Sequence, residues 1–226
     1  MRAQLLFEVP TILAYLGAGL CLGLGFLKAR TELRRAGVVL AGLALAGHAV
    51  VLWSSIRVSG GWDVNVVNTL SLSAWIVALV LLLTGLRRGL LEAGVLVFPG
   101  AALCVAIAPW VPMKALVLTD PSVELELHVF SSLLAYCLLS LAALNALVLA
   151  VQDVLLRRPS SIRQLEMLPP LSVLEKLMFR LVAAGLLVLT ISLTTGFLFV
   201  DNLLAQHLAH KTVLSMLSWV LFALLL

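Results

Sequence analysis

Long apolar runs alternate along this chain with short polar connections. The pattern predicts seven membrane-crossing helices, near residues 9–27, 37–56, 66–86, 90–111, 127–151, 179–200 and 212–226. A hydrocarbon core of roughly 30 Å takes about 20 apolar residues in a helix, which most of these runs supply. The expected fold class is all-α, a polytopic transmembrane helix bundle. With no internal repeat and no soluble stretch of any length, residues 1–226 are expected to form a single transmembrane domain.

Details within the runs refine this picture. The first is rich in glycine, and Gly19 and Gly23 have the small-xxx-small spacing that lets a second helix approach closely. A nucleotide-binding glycine loop would need a strand before it, and none fits. Pro99 and Pro109 predict that the fourth span is kinked or shortened at its far end. The seventh reaches only about 22 Å at a rise of about 1.5 Å per residue, and no charge closes it. The parent chain is therefore expected to continue beyond Leu226.

Composition confirms lipid as the main solvent. Of the 226 residues, 62% are hydrophobic and 12% are charged, against about 25% charged in soluble domains. Mean hydropathy is +1.15. The formal charge of +4 reads as topology rather than as affinity for nucleic acid. Lys28, Arg30, Arg34 and Arg35, then Arg87 and Arg88, then Arg157, Arg158, Arg163, Lys176 and Arg180 fall in alternate connections. Only Arg2, Arg57, Lys114 and Lys211 fall on the other side. By the positive-inside rule the N-terminus is outside, and the connections after the second, fourth and sixth spans face outward. The first run, which no small-residue cleavage site follows, is expected to be a retained span. Cys21, Cys104 and Cys137 lie in separate apolar runs without a CxxC or CxxCH pattern, which argues against a thiol–disulfide centre or covalently attached haem.

Candidate chemistry gathers on four histidines. His207 and His210 sit in the polar segment 200–211 between the last two apolar runs, and their spacing would put both on one face of a helical turn. His128 opens the fifth span at the same outer side. His48 lies about 17 Å inside the second span, where an ionisable side chain must be neutral, paired or bound. Its plainer reading is a neutral ring bonded to backbone or to a serine or threonine on a neighbouring span. No carboxylate or cysteine completes a zinc spacing around His207 and His210. Haem needs only one or two axial imidazoles and an apolar, aromatic wall, to which Phe130, Trp110, Phe197, Phe199 and Trp219 could contribute. Trp53, Trp62 and Trp110 are equally explained by an interfacial aromatic belt. No GxSxG, HExxH or paired intramembrane aspartates support hydrolysis, and Glu8, Glu92 and Glu175 lie near span ends, not mid-span as a proton-coupled transporter would want.

Residues 127–136, Leu-His-Val-Phe-Ser-Ser-Leu-Leu-Ala-Tyr, and 209–219, Ala-His-Lys-Thr-Val-Leu-Ser-Met-Leu-Ser-Trp, resemble the cytochrome c assembly membrane proteins, in particular a HemX/YpjD-like, or CcsA-like, branch. Residues 68–75, Asn-Thr-Leu-Ser-Leu-Ser-Ala-Trp, are similar to the same branch. The resemblance runs from the second span onward. It implies a haem-handling protein of the bacterial inner membrane, with haem b as cofactor and His128 as an outer ligand. Lys211 and Trp219 fall at corresponding places, and His48 matches an intramembrane histidine, a haem transit site. The family's WGxxWxWD pattern is absent, since residues 202–209 hold no aromatic side chain. The family's second outer histidine would lie beyond Leu226, and His207 or His210 is the substitute ligand.

The expected function is haem binding or transfer linked to cytochrome c assembly, without enzymatic activity. Membrane lipids, haem and other assembly proteins are the expected partners, and nucleic acid is not. Two alternatives come from other classes: an accessory or regulatory subunit that stabilises a partner complex, and a small-molecule or ion transporter.

Overall fold

Hydrocarbon offers no hydrogen bonds to a bare backbone, so apolar runs of this length close their own N–H and C=O groups as helices. The computed structural model of the protein, which describes residues 2–59, 61–88, 91–111, 113–119, 122–157, 168–199 and 209–226, has this all-α polytopic architecture. The described residues form seven α-helices: α1 (Arg2–Lys28), α2 (Thr31–Ile56), α3 (Val66–Arg88), α4 (Gly94–Ile107), α5 (Val123–Leu156), α6 (Leu171–Phe199) and α7 (Ala209–Leu225). Six helical stretches are long and apolar enough to cross a membrane, among them Leu91–Trp110, which joins α4 to the short 3₁₀ turns at its ends. The apolar part of α7, Thr212–Leu225, is shorter.

The helices overrun the apolar runs that foretold them. α1 passes through Pro10 and starts at Arg2, α5 has 34 residues, and α6 begins at Leu171 rather than near 179. Hydropathy locates the hydrocarbon boundary, whereas a helix ends at its cap, which lies in water. For α5 the cap is Ser122, whose hydroxyl accepts from the Leu125 N–H at 3.3 Å. Glu124 and Glu126 in the first turn suit the positive end of the helix dipole. In the fourth span the two prolines act differently. α4 runs on through Pro99, and the chain tightens into a 3₁₀ turn, Ala108–Trp110, at Pro109.

α1 packs on α2 and α4, α5 on α6, and α3 joins the two groups through α2, α4 and α5. One buried cluster runs through these helices and includes Tyr15, Leu45, Leu81, Phe98, Leu141 and Leu174. The glycine stripe of α1 faces α4: a Cβ on Gly19 would come 2.9 Å from the Pro99 ring. At the cytoplasmic end a partly buried Arg34–Glu92 ion pair ties α2 to the turn before α4.

At the outer end, three short strands form an antiparallel sheet that hydropathy did not foretell. β1 (Arg57–Val58) pairs with β2 (Gly61–Asp63), and β2 pairs with β3 (Val117–Leu118), with Trp62 opposite Leu118. Asp63 pins this cap. Its carboxylate accepts from the Leu116 and Asn65 backbone N–H groups at 2.9 and 3.1 Å and from the Asn65 side-chain amide at 3.0 Å.

Candidate functional site

His48 is fully buried on α2. Its Nδ1 lies 3.1 Å from the Tyr15 hydroxyl of α1 and its Nε2 lies 2.9 Å from the Ser71 hydroxyl of α3. A neutral imidazole donates from one nitrogen and accepts at the other, so one hydroxyl donates to the ring and the other receives from it. The Tyr15 ring meets His48 edge-on, with centroids 5.7 Å apart, and stacks on Phe98 of α4 at 6.0 Å. Gly47, beside His48, gives α1 room to come close: a Cβ there would fall 2.3 Å from Thr11 Oγ1. Both ring nitrogens are thus occupied, and the histidine joins three helices. The serine partner matches the plainer expectation for an intramembrane histidine, while Tyr15, 33 residues away, was not foreseen.

His128 is held differently. On the second turn of α5 it is half-buried against α6, where Nδ1 lies 2.9 Å from the Ser192 carbonyl oxygen. A carbonyl only accepts, so Nδ1 is the protonated nitrogen and the lone pair of the neutral ring sits on Nε2. The Thr195 hydroxyl stands 3.4 Å from the same Nδ1. Gly196 leaves the space the ring fills, because a Cβ there would lie 2.9 Å from His128 Cε1. Nε2 has no partner among the described residues. This is the arrangement by which proteins orient a metal-binding histidine: the far nitrogen is tied to a backbone carbonyl and the near one left open.

α7 lies beside this site. Tyr136 of α5 and Ser215 of α7 share a hydrogen bond of 2.9 Å, and Trp219 Nε1 donates to the Thr190 hydroxyl of α6 at 2.8 Å. α5 and α7 both run inward from the outer face. By helical rise His128 is about 12 Å outward of the Tyr136–Ser215 bond and the backbone of His210 about 7.5 Å outward of it. The His210 side chain and the whole of His207 lie outside the described residues.

The expected aromatic wall divides. Phe130 does not accompany His128. With Glu126, Val129 and Leu133 it forms the opposite face of α5 and lines a cavity of about 500 Å³, together with Trp53, Trp62 and Trp75. Trp110 and Phe197 are exposed, and the Phe199 side chain lies outside the described residues. Trp53 and Trp62, read from sequence as belt residues, share this cavity. The clue available was Trp75, a tryptophan well inside a span, whose Nε1 donates to the Leu45 carbonyl at 2.9 Å. No group of three or more histidine, cysteine, aspartate or glutamate side chains among the described residues is placed to hold a metal ion.

The sequence of the protein matches the family model described as cytochrome C assembly protein over residues 38–226. It is 31% identical over 205 residues to the inner membrane protein YpjD of Escherichia coli K12, covering 89% of this chain and 77% of that protein. It is 27% identical over 188 residues to an uncharacterised 28.8 kDa protein from Azospirillum brasilense, covering 79% of this chain and 67% of that one. No solved structure matches. The match reaches from the second helix, through the buried His48 and then His128, to Leu226 just past α7, and on that basis this multi-pass inner-membrane chain belongs to the cytochrome c assembly protein family.

Proposed function

We propose that this protein binds haem at the outer face of the inner membrane and holds or passes it on during cytochrome c assembly. The observation that carries the reading is the His128 ring, anchored through Nδ1 to the Ser192 carbonyl with no partner on Nε2 among the described residues. An imidazole in this state is a ready axial ligand for haem iron. His210, which opens α7 at the same end of the bundle, is the second ligand in this reading, with His207 as its substitute. In this reading haem is cargo rather than a redox catalyst, and the chain would supply its ligands. His48 has no part as a ligand here, since the Tyr15 and Ser71 hydroxyls hold both of its nitrogens.

The bound haem would supply the iron that accepts the imidazole lone pair. The chain's own contribution is orientation. Ser192 keeps the proton on Nδ1, and Gly196 fixes the distance of the ring from α6. Haem retention should therefore respond to changes that never touch the porphyrin.

The test is the absorbance spectrum of protein purified in detergent from haem-replete cells. A Soret band is expected in the wild type, with occupancy falling on the order of tenfold in His128→Ala. Absence of the band in the wild type, or an unchanged band in His128→Ala, rejects the proposal.

A further inference from the structure

The cavity between α2, α3 and α5 is not part of the histidine site, and its lining has a definite chemical bias. Its walls are apolar and aromatic, with Trp53, Trp62, Trp75 and Phe130 prominent. Most polar hydrogens that could point into it are already committed. Trp75 Nε1 donates to the Leu45 carbonyl. The two amide hydrogens of Asn68 go to the Asp63 and Ser55 carbonyls at 3.0 and 3.3 Å. The Thr69 hydroxyl donates to the Val64 carbonyl at 3.1 Å. The charged groups on the wall are carboxylates, Glu126 and the Asp63 that also pins the strand cap, and no lysine, arginine or histidine lines the space among the described residues.

A ligand presenting a carboxylate would meet like charge at Glu126 and Asp63, with only the Trp53 and Trp62 indole N–H groups, among the described residues, left to donate to it. A ligand presenting a cationic donor would meet two carboxylates and indole faces, which attract ammonium groups. The complement lies next door. A second cavity of about 430 Å³ shares Trp53 and Trp62 and adds Arg57, whose guanidinium sits 4.9 Å from the centroid of the Trp53 ring. Trp53 and Trp62 are about half exposed, and their indole N–H groups are free of protein partners among the described residues. Negative groups on one side of the shared tryptophans and a guanidinium on the other are the pattern of a zwitterion. The second cavity lies at the outer ends of the spans, where headgroups sit, and the first runs from there down to Trp75 and Leu133, where apolar walls would meet acyl chains.

We infer that this pair of cavities binds the headgroup of an ammonium-bearing phospholipid of the outer leaflet. The ammonium lies among the tryptophans beside Glu126 and Asp63, the phosphate lies toward Arg57, and the acyl chains lie along the apolar wall. Three of the protein's five tryptophans line the cavity, so occupancy can be read optically.

The experiment titrates delipidated protein in detergent with dihexanoyl phosphatidylethanolamine and, separately, with dihexanoyl phosphatidylglycerol, following tryptophan emission. The tails are the same, and only the former carries an ammonium. Saturable binding on the order of tenfold tighter for the ethanolamine lipid is expected. Glu126→Gln, a change at a partly exposed position, should bring the two lipids to within about twofold. Equal binding of both lipids, no saturable change with either, or an unaltered preference in Glu126→Gln overturns the inference. Haemin is added as a third ligand: if it displaces the ethanolamine lipid competitively, the cavity is a porphyrin site and the inference also fails.

Discussion

His48 and His128 are set into the same bundle in opposite ways. His48 is closed: fully buried, with a hydroxyl on each nitrogen and a different helix behind each hydroxyl. His128 is half-open: a single backbone carbonyl orients it, and the other nitrogen has no partner among the described residues. The first arrangement spends the whole hydrogen-bonding capacity of the ring on joining α1, α2 and α3. The second spends half on orientation and keeps half for a ligand. A histidine in a membrane protein is therefore read by its partners more than by its depth. By depth alone the buried ring is the more unusual of the two, yet the outer ring is the one free to bind.

The contrast can be broken most directly by deleting each ring. His48→Ala removes a packed side chain and strands the Tyr15 and Ser71 hydroxyls, and should cost about 3 kcal/mol in thermal or denaturant unfolding in detergent. His128→Ala should cost less than about 1 kcal/mol in the same assay, because one partly buried bond is lost. Equal losses, or the reverse order, would mean that the two sites do not divide structure from binding. Gly47→Ala comes next. Its new Cβ meets Thr11 Oγ1 and should destabilise by roughly 1–3 kcal/mol. The double change with Thr11→Ala should recover most of this, and an additive result would reject close packing as the cause.

Gly196→Ala sharpens the comparison from the other side. The added methyl displaces the His128 ring, so haem occupancy should fall on the order of tenfold while the unfolding midpoint moves little. A fall in both together would make Gly196 a packing residue only. Tyr15→Phe is smaller, about 0.6–1 kcal/mol, since one hydrogen bond is lost and the stacking on Phe98 stays. The smallest effect is expected far from either histidine, at the exposed Asp153–Arg157 pair on α5, where Asp153→Ala should change stability by about 0.3 kcal/mol.

Much of this could be seen in the chain beforehand. Apolar runs marked all seven helices in order, six of them long enough to cross, and the asymmetry of lysine and arginine gave the direction expected of them. The glycine spacing at Gly19 and Gly23 marked the face that meets α4. The serine bonded to His48 was a fair guess, because few neutral partners exist inside a span. What stayed hidden was whatever joins residues distant in sequence through geometry. Tyr15 meets His48, Ser192 meets His128 and Trp62 meets Leu118 only after the helices pack, and no local period encodes those meetings. The aromatic residues misled for the same reason. Phe130 and His128 are two residues apart, but that spacing turns them to opposite faces of α5, toward different neighbours.

Sequence alone thus determined that the chain lives in lipid, which way it runs, where its histidines fall along the membrane normal and which family it joins. Those properties follow from solvent preference and helical rise, both of which act residue by residue. Tertiary structure alone decided that one histidine has both nitrogens bonded and another only one among the described residues, and that Trp53 and Trp62 share a cavity with Trp75. Such properties depend on which donors are left over after packing, and that is fixed only when every helix has found its neighbours.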